Sequence, residues 1–228
     1  IQDIFAVQAE LASAIVSAIV PAAKGSAVED AVAPTSDLNA YDLYLAARGQ
    51  LVLRTGDAIQ KSGELAEQAV RLDPNFARGQ AHLANSLLFQ AMYSDEERPQ
   101  ESASLLRRAE AAAHKALAID PDLSEAHGAY ANLLRNAGRP GAEEQYKRAL
   151  ELNPNNASTW HDYAVYLANV ASRHDESSRA AERALELDPR QPVTWANHLA
   201  NIGDPRSARY QAEFGRAIRM VGDMPFAL

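Results

Sequence analysis

An all-α fold, a right-handed superhelix of stacked helix pairs, is what this sequence predicts, and three observations carry the prediction. The residues RALELNPNNASTW, from Arg148 to Trp160, return 35 positions later as RALELDPRQPVTW, from Arg183 to Trp195. A phrase of the form small-x-x-Ala-Leu-x-Leu-Asp/Asn-Pro, with modest variation, closes at Pro74, Pro121, Pro154 and Pro189, at spacings of 47, 33 and 35 residues. After each of these prolines apolar residues recur at steps of three and four, the period of an amphipathic helix. Self-similarity at a fixed period of this size means one supersecondary unit written several times and stacked.

Taken in order, residues 1–20 place Ile4, Val7, Leu11, Ile15 and Ile19 on one face, the pattern of an amphipathic helix. So long an apolar face is costly in water, so this helix is expected to fold back on the rest or pair weakly with a second copy of the chain. The start at Ile1 rather than Met implies a fragment or a processed piece. The most apolar run, Leu11 to Ala23, has 13 residues, too few to cross a bilayer, and lacks the basic leader of a signal peptide. No membrane insertion is expected from it. Residues 21–39 read as a linker, residues 40–221 as the repeat array, and residues 222–228 as a tail.

Within the array the first unit runs from Ala40 to Pro74 and needs about three extra residues around RTGD to fit the period. The long spacing of 47 that follows is assigned to AMYSDEERPQES, Ala91 to Ser102, a polar stretch with Pro99 that reads as an insertion between two helices. Ala69, Ala116, Ala149 and Ala184 each stand five residues before a closing proline. Three positions earlier, on the same helical face, come Ala66, Ala113, Tyr146 and Ala181. Small residues there let neighbouring helices approach closely. Proline then ends the helix, since it donates no backbone hydrogen bond and biases its predecessor away from αR. The helices that follow expose apolar faces through Leu83, Ala84, Leu87; Tyr130, Ala131, Leu134; Trp160, Tyr163, Ala164, Leu167; and Trp195, Leu199, Ile202. Leu199 stands where the other units have a small residue, which argues against the same close contact in the last unit. That unit carries Phe214 and Ala217 at the right separation but ends in MVGDMP.

These residues resemble the tetratricopeptide repeat, which has an aromatic early in its first helix, a small residue four later, and Ala and Pro in and after its second. Trp160 with Ala164, then Tyr146, Ala149 and Pro154, carry the resemblance. It implies about five helix pairs and a concave surface lined by the first helix of each pair, on which a protein or peptide ligand would lie. In this register the groove residues are Arg78, His82, Asn85, Phe89, Asn132, Arg135, Asn136, His161, Asp162, Asn169 and Asn197. Asparagine amides both donate and accept, so such a groove suits an extended peptide backbone. Chaperone-binding members of the repeat family grip a terminal carboxylate with Lys, Arg and Asn. Here Asn85 matches, but Ala81, Ala129, Ser158 and Asp162 occupy the remaining positions, which disfavours that mode.

A second resemblance rests on DIFAVQAELASAIV, PTSDLNAYDLYLAARG and EAHGAYANLLRNAG. These segments look like the carboxy-terminal halves of large bacterial signalling proteins. In that group a nucleotide cyclase or winged-helix domain precedes a TolB-like module and tetratricopeptide repeats. The resemblance implies a missing upstream effector domain; no cyclase residue maps onto this chain.

Composition and motifs narrow the chemistry. A net charge of −8 and a pI near 5.3 leave no basic field for nucleic acid. Without cysteine there is no disulfide, thiolate zinc site or thiol nucleophile. No two histidines stand in a His-Glu-x-x-His arrangement, and GDAIQKSG lacks the Gly-Lys-Ser/Thr of a phosphate loop. His174-Asp175-Glu176 falls in a turn and reads as solvated, and His127 occupies an aromatic slot and reads as packing. The expectation is a non-enzymatic interaction module without metal or cofactor, belonging to a larger bacterial signalling protein. A regulatory tail of a cyclase and a small-molecule sensor are the alternatives.

Overall fold

The structure is a computed structural model and describes residues 35–94 and 99–222. The expected amphipathic helix of residues 1–20, most of the linker and nearly all of the tail lie outside the described residues. Ten helices and no strand occupy the described part. They are α1 (Leu38–Val52), α2 (Gly56–Leu72), α3 (Ala77–Tyr93), α4 (Pro99–Ile119) and α5 (Ser124–Asn136). Then follow α6 (Ala142–Leu152), α7 (Ala157–Asn169), α8 (His174–Leu187), α9 (Pro192–Ile202) and α10 (Ala208–Val221).

Each odd-numbered helix packs on the even-numbered helix that follows it. The odd helices also touch one another in succession, α1 to α3, α3 to α5, α5 to α7 and α7 to α9, whereas among the described residues no such contact joins one even helix to the next. The odd helices therefore form the inner, tighter layer of a curved stack and the even ones the outer layer. All eight positions read from the sequence as helix–helix contacts are buried: Ala66, Ala69, Ala113, Ala116, Tyr146, Ala149, Ala181 and Ala184.

The Asp/Asn-Pro phrase works as a paired cap. Asp73, Asp120, Asn153 and Asp188 each donate their backbone N–H to the carbonyl of the alanine four residues back, ending the helix. The side chains of the same four residues accept the N–H two residues on, from Asn75, Asp122, Asn155 and Arg190, at 2.9–3.2 Å. That is an Asx turn, which fixes the sharp exit from each outer helix. The next helix then ties back to the turn. Trp160 and Trp195 each donate their indole N–H to the carbonyl of the proline six residues earlier, at 2.9 Å. His127 Nε2 lies 2.8 Å from Pro121 O and Gln80 Nε2 lies 3.2 Å from Pro74 O in the same relation. The aromatic slot thus selects a side-chain N–H donor as much as a ring, which is why His and Gln serve there.

Two expectations are refined. The excess residues of the second pair are largely helical, since α3 has 17 residues and α4 has 21, against 13 and 11 in α5 and α6. Pro99 does not break a helix; it stands at the first position of α4, where its missing N–H costs nothing. The extra residues around RTGD form the α1–α2 turn, where Arg54 adopts a left-handed conformation with φ +54°.

Candidate functional site: the concave face

The inner helices and the turns opposite them enclose an open cleft of about 670 Å³. Helix α1 contributes Tyr44, Leu45, Arg48 and Val52, helix α3 contributes His82, Asn85 and Phe89, and α7 contributes Asp162. Turn residues Asn153, Asn155, Asn156, Asp188 and Gln191 close the far wall. On the α1 side Leu45 and Val52 are large apolar side chains left 43% and 52% exposed, so part of the cleft is greasy and open. Its charges are mixed: Arg48, Arg54 and Arg78 against Glu125, Asp162 and Asp188.

A hydrogen-bonded network fixes the floor. The Asn132 amide nitrogen donates to Asn85 Oδ1 at 3.1 Å and to Asp162 Oδ2 at 2.9 Å. Its carbonyl oxygen accepts the Tyr146 hydroxyl at 2.6 Å. One side chain therefore links α3, α5, α6 and α7. Burial raises the Tyr146 hydroxyl above its ordinary pKa, and the nearby Asp162 charge adds to this, so it stays a donor. The sequence placed Asn132 in the groove as a hydrogen-bonding surface. The structure corrects that: Asn132 is fully buried and both ends of its amide are committed inside the protein.

The other expected groove residues divide. Arg78, His82, Asn85, Phe89 and Asp162 line the cleft, with the Arg78 guanidinium exposed and 3.7 Å from Glu125. His82 Nε2 lies 3.1 Å from Ser62 Oγ, which donates onward to Ala47 O at 2.9 Å. With that proton spent, the histidine carries its hydrogen on Nε2. Burial lowers its pKa to about 4 and keeps it neutral near pH 7. His161, Asn169 and Asn197 line a second, smaller hollow of about 190 Å³ beside Ser177 and Asn201. His161 Nδ1 is 3.1 Å from Thr194 Oγ1, and burial lowers its pKa as well. Arg135 and Asn136 line neither hollow. Asn136 is exposed at the end of α5, whereas Arg135 is half-buried, with its Nε out of contact with solvent and without an acceptor.

The contribution of α1 and of Arg54 was missed from sequence. The Arg54 guanidinium stacks on the Phe89 ring with its carbon 4.0 Å from the centroid. The signal lay in the irregular RTGD length, which marks a turn outside the repeat pattern. Of the two histidine readings, His127 does pack at the slot, with Nδ1 2.7 Å from Gln145 Oε1. His174 starts α8, with Nδ1 3.0 Å from Asn201 Oδ1. Among the described residues no group of three or more His, Asp or Glu side chains is placed to hold a metal ion. No described helix is long and apolar enough to cross a membrane.

The fold and this concave face define a class, the helical-repeat solenoids. Residues 146–178 match the tetratricopeptide-repeat family. A thermophilic tetratricopeptide-repeat protein of Thermus thermophilus aligns over 72% of this chain and 82% of its own. Its identity is 22% and its TM-score 0.56. PilF of Pseudomonas aeruginosa aligns over 82% of this chain and 78% of its own, at 16% identity and a TM-score of 0.52. YrrB, a tetratricopeptide-repeat protein with an unusual peptide-binding site, covers 82% of this chain and 89% of its own, at 18% identity and a TM-score of 0.47. The first two likenesses show the fold. No curated protein matches the sequence.

Proposed function

We propose that this array is a protein-interaction scaffold that holds a segment of a partner in its concave cleft. The observation that carries the reading is the cleft itself. About 670 Å³ open along the inner helices, with exposed Leu45 and Val52 beside arginine, asparagine and aspartate side chains, combines an apolar anchor with polar register. The rigid stack behind it supports the same reading, since a preformed groove spends little binding free energy on ordering itself. Of the expected groove set, Arg78, His82, Asn85, Phe89 and Asp162 face this ligand. His161, Asn169 and Asn197 extend the track into the second hollow. The resemblance of the opening segments to the rear halves of bacterial signalling proteins supports placing the scaffold behind an effector domain.

The test is selection of random linear peptides on the purified protein, repeated with Ser158→Trp. Ser158 is exposed and lines the cleft, so the indole fills the groove without entering the core. Peptides retained by the parent protein and lost on the variant are the expected result. Peptides that bind both equally would place recognition elsewhere and end the proposal.

A further inference from the structure

The first helix of the stack is uncovered on one side. Among the described residues α3, α5 and α7 each touch an inner helix before them and another after, whereas α1 meets only α2 and α3. The packed side of α1 is Ala40, Tyr44 and Ala47, all buried. At about 100° per residue, Leu38, Leu45 and Val52 share one line on the far side, roughly 130° round the helix. All three are exposed. Ala46, Gly49 and the cap residue Leu53 are exposed beside them, and Asp42 is the only charge on that side. Ten large apolar side chains are exposed among the described residues, and four of them belong to this one helix and its cap. A helix apolar on every side is a helix that something covers.

The same chain carries a matching face. Residues 4–19, outside the described residues, set Ile4, Val7, Leu11, Ile15 and Ile19 in one stripe of helical period. As a helix they would span about 24 Å, and the 15 residues of α1 span about 22 Å, so the two stripes match in length. The chain enters α1 through Thr35, which is buried and donates its hydroxyl to Asp73 Oδ2 at 2.5 Å. Residues 20–34 lie between and reach up to about 50 Å, twice the length of α1, so either direction of docking is open. A tether of this length holds the stripe at an effective concentration of roughly millimolar. A second copy or a free apolar peptide would have to match that concentration to take its place.

We infer that residues 4–19 dock as a helix along Leu38, Leu45 and Val52 and so act as the stack's own cover. Ala46 and Gly49 leave room for it, since nothing lies within 4 Å of where a side chain at Gly49 would begin. Leu45 and Val52 also line the cleft, so the docked segment and a partner compete for its apolar side. That competition rests on the scaffold reading; the docking itself does not.

The chain has no cysteine, so Asn39→Cys, exposed at the margin of this face, takes a single nitroxide label in the full chain. Amide signals of residues 4–19 should broaden in the chain that bears the label. They should not broaden in isotope-labelled chains mixed with spin-labelled chains that carry no isotope. Leu45→Asp, or Leu11→Asp together with Ile15→Asp, should each abolish the broadening, whereas nearness through the tether alone would survive both. Peptides from the selection should bind the chain with Leu11→Asp and Ile15→Asp about threefold or more tighter, because the cleft is no longer shared. Broadening between chains would assign the cover to a second copy and overturn the inference. Broadening that is absent, or that ignores both sets of substitutions, would overturn it too. Unchanged peptide affinity alongside lost broadening would overturn the competition and keep the docking. Peptides indifferent to Ser158→Trp would end the scaffold reading, while the broadening still decides the docking.

Discussion

The third and fourth helix pairs and the fifth are written in nearly the same letters, yet they pack differently, and one residue accounts for most of the difference. In the fourth pair Ala164 lies four residues after Trp160, and its small side chain lets α8 come close enough for the Ser177 hydroxyl to donate to Ala164 O at 2.8 Å. The first pair does the same with Ser62 and Ala47 O at 2.9 Å. In the fifth pair Leu199 takes the small position after Trp195. There α10 buries only Ala217 fully, and Ile218 and Met220 stay exposed. His198, next to Leu199, is buried with neither ring nitrogen hydrogen-bonded and its nearest carboxylate, Glu213, at 3.9 Å. Close approach between helices is thus what lets the polar groups at the contact find partners. Where a bulky residue holds the helices apart, apolar surface still covers the polar atoms but does not satisfy them.

The contrast can be broken most forcefully at its well-packed side. Tyr146 is fully buried, joins the core of the middle pairs and donates to Asn132. Tyr146→Ala should cost about 3–5 kcal/mol, the range for deleting a large aromatic side chain from a core. Phe214→Ala, at the half-buried counterpart in the last pair, should cost about 1 kcal/mol, because little of the ring leaves a packed site. Urea denaturation curves of the two variants check the ratio, and equal losses would erase the distinction between the pairs.

Acid should act next. His82, His161 and His198 all have pKa values lowered by burial, His82 to about 4. A histidine whose folded pKa lies below its unfolded value of about 6.5 is protonated first in the unfolded chain. Stability is therefore full above pH 6.5 and falls as the pH drops from there toward 4. From pH 7.5 to 5 the loss from His82 alone should be about 2 kcal/mol. Urea midpoints at the two values, measured on the parent and on His82→Gln, check it; an unchanged pH dependence in the variant would refute the assignment.

His198→Leu should reverse the usual sign of a core substitution. The imidazole leaves two buried nitrogens unsatisfied and faces Glu213, Glu182, Arg209 and Arg216 without bonding to any of them. An apolar side chain of similar size should stabilise the last pair by about 1 kcal/mol and flatten part of the acid response. A destabilised variant would show that the ring has a partner. The smallest effect belongs to the outer surface. Breaking the exposed pair Arg183–Glu186, at 2.8 Å, should change stability by less than about 0.5 kcal/mol.

How far the sequence carried depended on whether a property repeats. The small residues at the helix contacts and the Asp/Asn-Pro caps recur, so their burial and their turns are legible in the letters alone. The departure at Leu199 is legible for the same reason. What does not recur stays hidden. Asn132 looks like a groove amide, because its partners Tyr146, Asn85 and Asp162 come from three other helices and no local pattern joins them. Arg54 lies outside the period and owes its position to a left-handed turn. The polar stretch with Pro99 reads as a loop because proline ends helices more visibly than it begins them; here it begins α4. Gln80 escapes notice as a slot residue because the slot is defined in the sequence by its aromatic members, not by the N–H they donate.

The central claim, that the concave layer is the working face, is tested most directly by an amide chemical-shift map of the labelled protein with the tightest selected peptide. The account predicts shifts concentrated on α1, α3, α5 and α7, with Arg54, Asn85 and Asp162 among the most affected. Shifts confined to the outer helices α4, α6 and α8 would contradict it.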